Sequence, residues 1–219
     1  MRMLLLACCL GAAGGCPAKV PPASPVESTV SFTGAWWLLS GLEGTVIGRL
    51  AVEGDAVTTV DRRGVSARWS FSADDGGWEL RGDQGQVLRA EVGSSGGLLL
   101  YDARGNATIA APVVPMPPAL VGQWRLRDPM RPESVGLELR VSSPDTPPTL
   151  TRGNQTLTVS TVQIGGRLGW VASRPDGSAE VRWLHRLPGG QYLVMGKDRG
   201  RYLVMHRQGA RPAWVAPEP

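Results

Sequence analysis

The chain reads as all-β: two tandem antiparallel up-and-down meanders, small and barrel-like, related by internal duplication. Three observations predict this. No long stretch carries apolar residues at helical spacing. Short alternating segments recur instead, separated by Gly, Asp, Asn and Pro. Two sets of matching segments also run through the chain in the same order.

The alternating segments predict strands over 45–52, 56–62, 67–73, 77–82, 87–92, 98–103 and 107–113. A second set covers 122–127, 135–141, 156–164, 167–174, 179–187, 191–196 and 201–207. Each set is preceded or opened by Gly-x-Trp, at Gly34-Ala35-Trp36 and at Gly122-Gln123-Trp124. Tyr-Leu-Val-Met occurs twice, from Tyr192 and from Tyr202. This is two neighbouring strands around the turn Gly196-Lys197-Asp198-Arg199-Gly200, a local likeness that carries no function. A Gly-rich turn with a lysine invites a phosphate-loop reading, but the required spacing and the strand-to-helix context are both missing.

The longer repeat is more informative. The two Gly-x-Trp segments stand 88 residues apart. Trp69 to Arg81 matches Trp170 to Arg182 at six of thirteen positions, with an offset of 101. Gly85-Gln86-Val87 matches Gly190-Gln191-Tyr192 at 105, and Ile109 to Pro112 matches Trp214 to Pro217 at the same offset. The offset grows mainly where the second copy carries Ser142 to Pro148. This places the modules at 32–114 and 120–219, with Pro115 to Pro118 as connector. Eight strands per copy can close into a barrel and leave no exposed edge. One sandwich, or a single large barrel drawing strands from both copies, is the alternative.

The N-terminal region carries a different signal. Met1-Arg2-Met3 precedes an apolar run from Leu4 to Ala13, the form of a secretory signal and too short to span a bilayer. Ala13-Gly14-Gly15-Cys16 resembles the lipobox of bacterial lipoproteins, although that family usually has Leu where Ala13 stands. The resemblance implies a signal peptide over 1–15 and lipidation of Cys16. Leu5-Leu6-Ala7-Cys8 fits the Leu rule better but leaves almost no apolar core ahead of it, so Cys16 is preferred. Pro17, Pro21, Pro22 and Pro25 make 16–31 a Pro-rich tether. Pro17 stands where such lipoproteins often carry the Asp that retains them at the inner membrane. The implied location is the bacterial envelope, lipid-anchored, at the outer membrane and facing the periplasm. The three cysteines are Cys8, Cys9 and Cys16, so a chain processed at Cys16 has no disulfide or thiolate chemistry in its folded part.

The Gly-x-Trp strands resemble the opening of lipocalins and the wider calycin group, up-and-down barrels in which that Trp packs at the closed end. The resemblance implies that Trp36 and Trp124 are barrel plugs. Each copy is about half the length of a lipocalin, which implies short strands and little lumen.

Catalytic signatures are missing. There is no Gly-x-Ser-x-Gly elbow and no supported Ser-His-Asp set. Asp74-Asp75 precedes Gly76-Gly77 and reads as a turn. The two histidines, His185 and His206, would need carboxylate ligands to hold a metal. The sequence therefore predicts no enzyme, no metal and no cofactor. Two glycosylation sequons, at Asn106 and Asn154, carry no weight behind a bacterial leader.

Charge is uneven. Residues 34–112 hold 7 Arg against 10 acids; residues 113–219 hold 13 Arg and 1 Lys against 8 acids. Lys197, Arg199 and Arg201 crowd one turn and are the candidate anion-binding loop. Arg182 and Arg186 lie opposite Trp183 and His185, and strand alternation predicts a solvated outer face for them. The function expected is a non-enzymatic binding or scaffolding lipoprotein whose partner is an envelope protein or an anionic glycan, not nucleic acid. A lipocalin-type carrier of a small apolar ligand and an envelope hydrolase are the rivals.

Overall fold

A computed structural model describes residues 33–41, 45–74, 77–93, 96–131, 133–134, 136–174, 176–196 and 202–209. Sixteen strands and two single-turn 3-10 segments account for the regular structure among them.

The first eight strands are β1 (Gly34–Ser40), β2 (Thr45–Glu53), β3 (Ala56–Asp61), β4 (Ser66–Asp74), β5 (Gly77–Gly82), β6 (Val87–Val92), β7 (Leu98–Tyr101) and β8 (Ala107–Pro112). Each pairs antiparallel with the next, and β1 also pairs with β8, so the sheet closes. The second set is β9 (Gly122–Arg127), β10 (Leu137–Val141), β11 (Thr149–Arg152), β12 (Gln155–Ile164), β13 (Arg167–Ser173), β14 (Ala179–Arg186), β15 (Tyr192–Met195) and β16 (Tyr202–Arg207). It closes in the same way through β16 and β9. The architecture is two up-and-down barrels, and closure leaves neither with a free edge. Among the described residues the bridges between them are the pair Glu180↔Thr45 and the isolated bridge Val113↔Val162, so strands are not shared as one large barrel would require.

The Gly-x-Trp segments open both barrels. Gly34 and Gly122 have φ of +132° and +136°, a backbone that a side-chain-bearing residue rarely adopts. The other matching segments fall one strand out of step. Trp69 to Arg81 forms the hairpin of the fourth and fifth strands of its barrel, whereas Trp170 to Arg182 forms that of the fifth and sixth. The added strand is β11, four residues directly after the loop that absorbs most of the offset. It was too short to stand out from its flanking prolines and threonines. The match at Trp214 to Pro217 lies outside the described residues.

Barrel 1 is filled by Trp36, Leu50, Val52, Val57, Leu80, Leu98 and Leu100, with Trp69, Phe71 and Trp78 packed against them. The Trp69 indole donates to Thr59 Oγ1 at 2.8 Å, which satisfies the one polar atom of that ring. Barrel 2 is filled by Trp124, Leu126, Leu139, Val141, Val159, Trp170, Val194 and Met205.

A third core lies between the barrels. It joins Trp37 and Leu39 of β1, Val46 of β2 and Ala111 of β8 to Val162 and Ile164 of β12, Val171 of β13, and Val181 and Trp183 of β14. These are outward-facing residues of both barrels, so the strands here are apolar on both faces. Gly169 belongs to this seam. A Cβ there would lie 2.8 Å from the Trp183 ring and 2.9 Å from the Arg182 carbonyl oxygen. Gly169→Ala is therefore expected to destabilise the protein by about 1–3 kcal/mol through overpacking. Thermal denaturation checks this, and an unchanged midpoint would mean that the Trp183 ring is free to move aside.

The connector is also packed. Val113 N–H donates to the Ala35 carbonyl and Val114 N–H to that of Thr161, both at 2.9 Å. Met116 is 2 % exposed and joins the barrel 2 core. Met116 thus ties the Pro115 to Pro118 connector to the core of barrel 2.

His206 lies on the outer side of β16 yet is buried. Burial first, then the Arg127 and Arg125 guanidinia, holds its imidazole below the ordinary value of 6.5. Around and below that value the unfolded chain takes up the proton first, so stability rises with pH through this window and falls on acidification. Urea unfolding between about pH 5.5 and 7.5 should show this slope, reduced in His206→Gln. An equal slope in the variant would assign the effect to other groups.

Candidate functional site

The two ends of barrel 2 differ. One end carries the β10–β11, β12–β13 and β14–β15 connections and the start of β9. It is sealed. Trp124 is 2 % exposed and its indole donates to the Leu120 carbonyl at 2.8 Å. The Arg207 guanidinium stands 5.2 Å from the Trp124 ring centre and donates to the Ala119 carbonyl at 3.2 Å. Tyr192 meets Trp124 edge-on at 5.6 Å. Trp36 is likewise buried inside barrel 1.

The other end carries the β9–β10, β11–β12, β13–β14 and β15–β16 connections, and the described residues there leave it open. A cavity of about 330 Å³ lies there. Leu137, Leu150, Leu157 and Ala172 form its apolar lining, and Arg152, Gln155, Arg174, Glu180 and Arg182 surround it with polar groups. Strand alternation explains the set. Arg152 follows Leu150 on the inward face of β11, and Arg174 continues the line of Trp170 and Ala172 beyond β13. On β14 the inward residues are Glu180, Arg182 and Leu184, while Val181 and Trp183 face the seam.

This corrects the expectation for Arg182. It faces the cup, not a solvated outer surface. The apolar face of β14, with Trp183, points out of the barrel because barrel 1 covers it. The sequence shows two faces on that strand but not which of them a second barrel would bury.

Glu180 is held between two of the arginines. Its Oε2 is 3.3 Å from Arg182 Nη2 and 4.0 Å from Arg174 Nη2. Asp176, in the β13–β14 turn, accepts from Ser178 N–H at 2.9 Å and Ser178 Oγ at 2.6 Å. The Ser178 hydroxyl and backbone hydrogen bonds hold the Asp176 carboxyl below its ordinary range. Trp170, two residues deeper than Ala172 on the same inward face, is wholly buried and its indole N–H has no acceptor among the described residues.

The other candidates are scattered. Cys16, Lys197, Arg199 and Arg201 lie outside the described residues, although the flanking Met195 and Tyr202 are strand ends at the open end. Val181, Trp183 and His185 share the outer face of β14, whereas His206 lies on the outer face of β16, with β15 between the two strands. Among the described residues no group of three or more His, Cys, Asp or Glu could hold a metal ion. The sequence reading missed Arg152, Arg174 and Glu180 as a group. They are 22 and 6 residues apart in the chain, and only barrel closure brings β11 to the same opening as β13 and β14.

No family model, no curated protein and no solved structure matches this chain. The fold defines it as a double β-barrel, and the described residues of barrel 2 form a cup at one end.

Proposed function

We propose that this chain is a non-catalytic binding protein of the bacterial envelope, anchored by a lipid on Cys16 and receiving a small molecule in the open end of barrel 2. The observation that carries this reading is the asymmetry of the barrels. Barrel 1 is filled by Trp36, Trp69, Phe71 and Trp78, whereas barrel 2 is sealed around Trp124 and keeps a cavity of about 330 Å³ at the other end. That size is at the lower end of the roughly 300–1,000 Å³ range of small-molecule sites, and an apolar lining with a few convergent polar groups is their usual composition. Barrel 1 then acts as the rigid support that a shallow site on short strands needs.

The carrier reading thus applies to barrel 2 alone. The lipid anchor supplies the membrane contact. A scaffolding role toward an envelope protein or an anionic glycan would use the Lys197, Arg199 and Arg201 turn and is separable by mutation.

Ala172→Trp tests the site. A bulky ring in the cup should abolish binding of any co-purified molecule seen by native mass spectrometry. Stability should change little, because Ala172 borders open space. Retention of the same bound mass in the variant would move the site elsewhere. Mass spectrometry of the mature N-terminus tests the anchor, and an unmodified terminus away from Cys16 would remove it.

A further inference from the structure

We infer that the cup of barrel 2 takes the anionic head of a small amphipathic molecule, a carboxylate on a short apolar tail, among Arg152, Arg174 and Arg182. The inference rests on the reading of the cup as a binding site and adds the chemistry of its occupant.

Charge is the first argument. Three guanidinium groups surround the cavity with two carboxylates, Asp176 and Glu180. Asp176 is engaged by its own turn through Ser178. Glu180 pairs with Arg174 and Arg182, and Arg174 also donates to Ser178 Oγ at 3.3 Å. Arg152 pairs with Gln155 in the β11–β12 ladder, and its guanidinium makes no ion pair or hydrogen bond with the described residues. Among the described residues that line it, the cup therefore holds one positive charge in excess, which a monoanion would neutralise.

Glu180 supplies the second argument, because it shows what these arginines accept. Its Oε2 lies within reach of two guanidinia, Arg182 on β14 and Arg174 just beyond β13. A forked guanidinium matches a carboxylate in shape as well as charge, and such charge-assisted bonds are the stronger kind. The backbone makes room for it. A Cβ on Gly196 would lie 2.6 Å from Glu180 Oε1, so the missing side chain leaves space for this carboxylate. A ligand carboxylate can share this cluster through Arg152 or displace Glu180 from it.

The third argument is the apolar wall. Leu137, Leu150, Leu157 and Ala172 face the cavity below the charged rim. A fully polar anion would leave this surface wet, and a neutral apolar molecule would leave the excess charge unanswered. A short tail under a charged head satisfies both.

Isothermal titration of the full chain with octanoate, octanol and acetate tests the inference. Octanoate should bind roughly tenfold or more tightly than octanol, which lacks the charge, and than acetate, which lacks the tail. Arg152 and Arg174 are both exposed at the rim, so Arg152→Ser with Arg174→Ser should fold normally and bring octanoate down to the octanol level. Glu180→Gln should tighten octanoate, because it removes the internal competitor while keeping the side-chain shape. Octanol equal to octanoate, with both blocked by Ala172→Trp, would overturn the anionic head and leave the cup reading standing. Octanoate affinity that ignores both the arginine pair and Glu180→Gln would also overturn it. Failure of the parent protein to bind either octanoate or octanol would overturn both readings.

Discussion

Trp170→Ala is expected to destabilise the protein by about 3–5 kcal/mol, the range for removing a large buried aromatic. Trp170 is 0 % exposed and sits within the barrel 2 core beside Leu150 and Leu184. Truncation leaves a void that residues on short, closed strands cannot collapse to fill. The same position makes a sharper prediction. The indole N–H has no acceptor among the described residues, so the native state is expected to carry the penalty of one desolvated donor. Trp170→Phe removes that donor and keeps most of the ring. It should change stability by less than about 1.5 kcal/mol. Equilibrium urea unfolding distinguishes the two. A Phe variant as damaged as the Ala variant would mean that the indole N–H is hydrogen-bonded in solution.

Val181→Asp at the seam is expected to be as damaging, at about 4 kcal/mol or more, because it buries an unpaired charge. Val181 is 0 % exposed and packs among outward-facing residues of both barrels. The loss should appear in barrel 1 as well, since Trp37 and Leu39 share that core with it. Unfolding should be one cooperative transition in the parent protein, and the variant should lower its midpoint without splitting it. Val65→Asp is the control. Val65 is 63 % exposed, and a charge there should cost less than about 0.5 kcal/mol. A Val181→Asp variant that unfolds in two steps, with barrel 1 at its parental midpoint, would show that the seam contributes little to barrel 1.

The class of fold was legible because strand alternation and turn residues are local signals. Two strands lie outside the alternating segments: β1, which the Gly-x-Trp motif marks instead, and β11, four residues long and bounded by prolines on one side. The Gly-x-Trp openings were legible because a left-handed glycine and a large ring are both unusual at a strand start. The seam was not. Trp183 and Val181 read as an inward face, and the sequence carries no mark for a strand whose outer side is buried by another barrel. The same inversion hid the cup, because it moved Arg182 to the wrong side. Arg152 and Arg174 looked like ordinary charges at strand ends, and Glu180 an ordinary acid beside an arginine. Their meaning depends on a closure that joins distant parts of the chain, which pairwise spacing does not encode.

The central claim is that barrel 2 binds its ligand at the open end. Amide chemical-shift mapping of the full chain during an octanoate titration tests it most directly. The account predicts shifts at Arg152, Gln155, Ala172 and Arg182, saturating together, with barrel 1 residues such as Leu80 and Leu100 unmoved. Saturable shifts centred on barrel 1 or on the sealed end around Trp124, with the open-end amides unchanged, would contradict it.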